Sequence, residues 1–237
     1  MVLPLHDDNP TSTRPYVTVG IIIACALMYV GQHLLLSPAG AQQVAYALGV
    51  IPAVLTGREV LPPEIALLPP PATVFTSMFL HGGFWHLAGN MWFLWIFGNN
   101  IEDAMGHVRF IVFYLACGMA AVFAQVLPNP VSIVPMVGAS GAISGVLGAY
   151  MLLYPRARVL LGLPIGFLIV QIGRFPAVWV LASWFGLQLV MALASGPEIP
   201  GDTQGRIAFG AHIGGFVAGL LLVTIFKRRG VPLWRQH

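Results

Sequence analysis

Two short runs put a nucleophile and a base inside segments apolar enough to cross a bilayer: Gly138-Ala139-Ser140-Gly141 and Ala211-His212-Ile213-Gly214. A serine hydroxyl becomes a useful nucleophile when a neighbouring base takes its proton, and an imidazole held neutral can do so. Around Ser140, the glycines at 138, 141 and 145 remove bulk, and Gly138 permits a strained turn into a helix. If Ser140 opens that helix, the unpaired amides of Ser140 and Gly141 can stabilise a developing oxyanion. The same residues also fit plain packing, because Gly141 and Gly145 form a small-xxx-small pair. His212 is an ionisable group at membrane depth and therefore a functional candidate, although a histidine bonded to a backbone carbonyl would serve structure alone. Its small neighbours Ala211, Gly215 and Gly219 allow its helix to lie against the glycine-rich one.

A third constellation is His81-Gly-Gly-Phe-Trp-His86-Leu-Ala-Gly-Asn90. His86 and Asn90 stand four apart, hence on one helical face, and can aim two donors at one point, which suits an oxyanion. A zinc site from His81, His86 and His212 is possible in principle, but no HExxH pattern supports it. Glu102 and Asp103, followed by Gly106 and Arg109, read as an ion pair or cap serving stability. No carboxylate is placed to orient His212, which favours a dyad over a triad.

The elements that must hold these groups are membrane helices. Hydrophobic residues make up 57% of the 237-residue chain and charged ones 8%, against about 25% charged in soluble domains. Apolar runs of helical length recur, and the alternation of a barrel is absent, so the expected class is all-α. Six spans are expected, at 16–36, 86–105, 108–127, 140–154, 175–194 and 207–226. The fourth is short and would start inside the bilayer, which is tolerable only where protein or water surrounds its start. The apolar run 159–171, broken by Gly162, Pro164 and Gly166, reads as interfacial rather than as a seventh span. Residues 37–80, rich in proline yet apolar, read as a partly embedded outer loop.

Nine of the eleven lysines and arginines fall on one side of this layout, leaving Arg58 and Arg206 on the other. The positive-inside rule then puts both termini in the cytoplasm. Residues 1–15 and 228–237 read as short tails of a single membrane domain covering 1–237. The net charge of +3 requires no nucleic-acid partner. Residues 1–16 resemble neither a signal peptide nor a transit peptide, which makes a prokaryotic plasma membrane the simplest address. Cys25 and Cys117 fall within spans and read as packing residues.

Taken in order, His86-xxx-Asn90, Gly138-x-Ser140-Gly141 and Ala211-His212-xx-Gly215 resemble the motifs of the rhomboid intramembrane serine proteases, over about residues 75–226. The resemblance implies a six-helix bundle in which Ser140 is the nucleophile and His212 the general base. It implies that His86, Asn90 and the Ser140 amide hold the oxyanion, and it matches Glu102, Gly215 and Gly219 to the family's structural positions. The implied reaction is hydrolysis of peptide bonds in or beside transmembrane segments of protein substrates, through an acyl-enzyme, with preference for small side chains in a helix-destabilised segment. Two positions depart from the family. Ser144 stands where an aromatic often stacks on the catalytic histidine, and Gly57 precedes Arg58 where the family has tryptophan.

Hydrolysis needs water, so a cavity lined by Ser140, His212, His86 and Asn90 and open to the outer side is expected. The fifth span, with Trp179, Trp184 and Phe185, is expected to gate lateral entry together with the loop 195–206. Two rival readings are an inactive rhomboid-like protein that binds transmembrane helices, and a small transporter or channel. The transporter would call for repeated broken helices, and the two halves share no motif.

Overall fold

The computed structural model describes residues 2–166, 168–194 and 208–234. The loop 195–206 with Arg206, the first residue of the expected span 207–226 and the last three of the tail 228–237 lie outside the described residues. The first long helix is α1 (Tyr16–Leu34). Three proline-led helices follow within the outer loop: α2 (Pro38–Leu48), α3 (Pro52–Leu55) and α4 (Pro70–Thr76). Proline suits a first helical position, where an N–H would have no intrahelical partner. A 3-10 turn (Ser77–Phe79) leads into α5 (Phe84–Met105), which α6 (His107–Val126) follows after the single residue Gly106. Then come α7 (Ser140–Leu153), α8 (Ala177–Ala194) and α9 (Phe209–Phe226).

Four of the described helices, α1, α6, α8 and α9, are long and apolar enough to cross a membrane. The other two expected spans fall short for different reasons. The 22 residues of α5 include His86, Asn90, Asn99, Asn100, Glu102 and Asp103. The 14 residues of α7 are apolar, but at 1.5 Å per residue they reach only about 21 Å. Eleven of those 14 are buried, so protein rather than lipid surrounds this short helix. Its core partners include Phe97, Phe113, Cys117, Tyr114 and Phe216. Cys25 and Cys117 are buried free thiols.

The structure is mostly helical, and to the expected all-α class it adds one correction, a three-stranded antiparallel sheet of order β1-β2-β3. It consists of β1 (Leu3–Asp7), β2 (Arg158–Ile165) and β3 (Leu168–Pro176). Leu3 pairs with Gly162 and Asp7 with Val159, while Arg158 pairs with Pro176 and Ile165 with Leu168. The hairpin is the apolar run that sequence reads as interfacial. Its β-branched residues favour strands, and Gly166, at φ 59°, allows the turn.

Residues 2–15 are tied to the helices as well. Trp92 donates its indole N–H to the Pro4 carbonyl (2.6 Å), and Tyr150 donates to the Asp7 carboxylate (2.6 Å). Burial pushes the Asp7 carboxyl up from its usual range. Asn100 donates to the Asn9 carbonyl, and Asp103 accepts from the backbone and hydroxyls of Ser12 and Thr13.

Glu102 completes this anchorage. The N-cap of α1 is Pro15, which offers no side-chain acceptor, so the first amides of α1 need a partner from elsewhere. The fully buried Glu102 carboxylate accepts from the amides of Val17 (2.9 Å) and Thr18 (2.7 Å), from the Thr18 hydroxyl, and from His107 Nδ1 (2.6 Å). Glu102→Ala is therefore expected to lower stability by about 3 kcal/mol or more, since each orphaned buried donor costs about 1–3 kcal/mol. Thermal unfolding in detergent checks this, with Glu102→Gln expected to lose less because it keeps one acceptor.

Candidate active site

Helices α5, α7 and α9 begin at the same end of the molecule. A Cβ at Gly215 would fall on the Gly141 carbonyl oxygen, and one at Gly219 on the Gly145 carbonyl oxygen. The two pairs run in the same order, so α7 and α9 are parallel and in backbone contact. On the other flank, Phe97 meets Tyr150 edge-on at 4.9 Å, while His86 lies against Gly138 near the helix starts. The expected site residues thus occupy the opening turns of three helices, where free amides and positive dipole ends favour a developing negative charge.

The chain entering α7 is held by the outer loop. Val50 and Met136 exchange backbone hydrogen bonds (3.0 and 2.7 Å), and the Gly138 amide donates to the Ser77 carbonyl (2.9 Å). Gly138 has φ 132°, where side-chain-bearing residues are strained. A Cβ there would also meet the His86 ring at 2.8 Å. The glycine therefore serves twice, by turning the chain into α7 and by admitting His86 beside it.

Ser140 and His212 are brought together: the Ser140 hydroxyl lies 2.9 Å from His212 Nε2. The other ring nitrogen, Nδ1, lies 2.8 Å from Gln188 Oε1 on α8. The Trp184 ring sits 6.0 Å from the His212 ring, tilted by 36°, and Phe209 meets it edge-on at 6.4 Å. Ser144 does not face His212. Its hydroxyl donates to the Ser140 carbonyl one turn back (2.6 Å), and the residue is buried. An aromatic neighbour for the histidine thus comes from α8 rather than from position 144.

His86 is exposed, Ser140 and His212 are half-buried, and Asn90 is buried. The site is therefore open on the His86 side. The side-chain amide nitrogen of Asn90 is buried without a hydrogen-bond partner. Such a donor is costly in a resting protein and available to an incoming negative charge. His81 meets His86 edge-on at 5.2 Å. Among the described residues, no three His, Cys, Asp or Glu side chains gather as a metal site. A cavity lined by Ile51, Val54, Leu61, Leu68 and Thr73 belongs to the outer loop and includes none of the expected site residues.

Sequence reasoning missed Gln188 and Trp184 as partners of His212. A signal was present: a carboxamide in the middle of an otherwise apolar span is expensive unless something pairs with it. Trp184 lies four residues before it, on the same helical face.

Geometry and fold together define a polytopic helical membrane protein that holds a serine–histidine pair at the start of a short buried helix. Residues 71–229 match the family model described as Rhomboid domain, and the chain belongs to the rhomboid family. Among its relatives is "Rhomboid protein 1, mitochondrial" of Saccharomyces cerevisiae, 29% identical over 153 residues, covering 63% of this chain and 40% of that protein. "Presenilin-associated rhomboid-like protein, mitochondrial" of Homo sapiens is 29% identical over 175 residues, covering 68% and 41%. "Rhomboid protease GluP" of Bacillus subtilis is 41% identical over 78 residues, covering 33% and 15%. The matches thus span about two fifths of the length of the yeast and human relatives. The expected prokaryotic plasma-membrane address is corrected by this comparison: the yeast and human relatives, like that of Mus musculus, are named as mitochondrial.

Proposed function

We propose that this chain is an intramembrane serine endopeptidase that hydrolyses peptide bonds in or next to transmembrane segments of membrane-protein substrates. The observation that carries this reading is the 2.9 Å contact between the Ser140 hydroxyl and His212 Nε2 at the first turn of α7. His212 takes the hydroxyl proton as Ser140 attacks the scissile carbonyl carbon. It then gives that proton to the leaving amine, and water releases the acyl group by the reverse sequence. His86, Asn90 and the Ser140 amide receive the oxyanion, and no cofactor takes part.

The single rhomboid domain spans 1–237 in this proposal, and α5 and α7 join the four long apolar helices to make six. Protein burial around α7 and the outer-loop cover over its start allow it to begin below the membrane surface. Substrate helices enter beside α8, from the bilayer. The likeness to the yeast and human relatives favours a mitochondrial membrane as the setting.

Purified protein in liposomes tests this reading, with a single-span reporter and a fluorophosphonate that labels activated serines. Cleavage and labelling of the wild type, both lost in Ser140→Ala, are the expected results. Binding of the reporter without cleavage or labelling would turn the reading to a helix-binding protein that lacks peptidase activity.

Asn90→Ala is expected to lower kcat by about 10²- to 10³-fold, the usual effect of one lost oxyanion donor. KM and the unfolding temperature should hardly change, because the Asn90 amide nitrogen has no partner to lose in the resting protein. Steady-state kinetics with the reporter, alongside a thermal melt, measure both.

A further inference from the structure

Helix α8 buries few of its residues and yet carries two groups that face His212. Trp179, Leu187, Leu189, Val190, Met191 and Leu193 along it are exposed, and its buried residues are Ala177, Leu181 and Gln188. Toward α9 it presents Trp184, Phe185 and Gln188. Phe185 stacks on Phe216 at 4.3 Å, and Trp184 lies beside both Phe216 and His212. Gln188 is 8% exposed, with Oε1 2.8 Å from His212 Nδ1.

A neutral imidazole carries one N–H, and the partner of one nitrogen decides which nitrogen that is. A carboxamide oxygen can only accept. Facing Nδ1, it requires the proton there and leaves the Nε2 lone pair directed at the Ser140 hydroxyl, 2.9 Å away. The amide nitrogen in the same place would donate instead, move the imidazole proton to Nε2 and leave Ser140 without a base. We propose that Gln188 is a positioning residue that fixes His212 in the tautomer able to take the Ser140 proton, so that the pair is competent only while α8 is seated against α9. This rests on the serine peptidase reading above and adds a control to it. The helix beside which substrate enters also completes the base, which couples closure after entry to chemistry. The proton balance is simple: Ser140 gives its proton to Nε2, Nδ1 keeps its own, and the imidazolium's Nδ1–H remains bonded to Gln188 Oε1.

The test compares Gln188→Met, which keeps length and removes the acceptor, with Gln188→Glu, which keeps an acceptor at both ends. Reporter cleavage and the rate of Ser140 labelling by a small fluorophosphonate are measured for each, after thermal melts establish that both variants fold. The expected result for Gln188→Met is a fall in kcat of about 10²-fold, short of the ~10⁴-fold that an enforced wrong tautomer costs. KM should stay within about twofold, as expected for an interaction realised in the chemical step. The labelling rate should fall in parallel, and Gln188→Glu should recover most of both. Full kcat in Gln188→Met, equal impairment in Gln188→Glu, or slowed cleavage with normal labelling would each overturn the proposal. A wild type that neither cleaves nor labels would instead remove the peptidase reading itself, and this one with it.

Discussion

Replacing Ser140 with alanine is expected to lower reporter turnover by at least about 10⁴-fold, the scale seen when one member of a cooperating nucleophile and base is removed. His212→Ala should cost about as much, and the double variant little more, because either deletion alone disables the same step. The fold should survive the first change. The described partner of the Ser140 side chain is His212 Nε2, and alanine suits a first helical turn. Ser144→Ala supplies the internal comparison. That hydroxyl is engaged with the Ser140 carbonyl one turn away rather than with His212, so its loss should leave cleavage within about threefold of wild type, the range of a small change that leaves the reacting pair in place. The measurement is single-turnover cleavage of a transmembrane reporter in liposomes. Cleavage that survives Ser140→Ala and disappears in Ser144→Ala would reverse the assignment of the nucleophile.

Much of this site was legible in the chain because its parts are local. The spacing of His86 and Asn90 places them on one helical face. Glycines beside Ser140 and His212 signal close backbone approach. Both features need only helical periodicity and the expense of polar groups in an apolar span. What could not be read depends on partners far apart in sequence. Gln188 is one carboxamide in an apolar helix, and only the packing of α8 on α9 gives it His212. The sheet was missed because a short, two-sided apolar run does not declare a period, and because β1 finds its partner more than 150 residues downstream. Glu102 reads as a cap or an ion pair from its neighbours, while its amide partners lie 84 and 85 residues earlier, at the start of α1. The count of spans shows the same limit from another direction. Hydropathy by itself separates α1, α6, α8 and α9 from α5 and α7, and it is the polar residues of α5 and the shortness of α7 that take those two out of range.

Gly215→Ala is expected to produce the second large effect, on the fold and the site together. Its new methyl would fall on the Gly141 carbonyl oxygen, a backbone atom that cannot swing aside as the end of a flexible side chain can. The two helices must therefore separate, and overpacking of this kind costs about 1–3 kcal/mol. In a membrane the loss is felt directly, because close approach of small residues is a main source of helix association there. Gly215 also lies three residues after His212, and Gly141 follows Ser140, so the displacement opens at the 2.9 Å contact between base and nucleophile. A shift of about 1 Å at reacting groups is enough to lose about 10²-fold in rate. Cleavage should therefore fall by at least that factor even well below the unfolding temperature, which itself should drop. Gly186→Ala on α8 is the matched control. Beyond its chain neighbours and the helix's own backbone, nothing lies within 4 Å of its added Cβ, and the change from glycine should raise helix stability by up to about 1 kcal/mol with cleavage unaltered. Equal melting and equal cleavage for Gly215→Ala and wild type would mean that α7 and α9 do not meet backbone to backbone at this point, and that the register bringing His212 to Ser140 is set elsewhere.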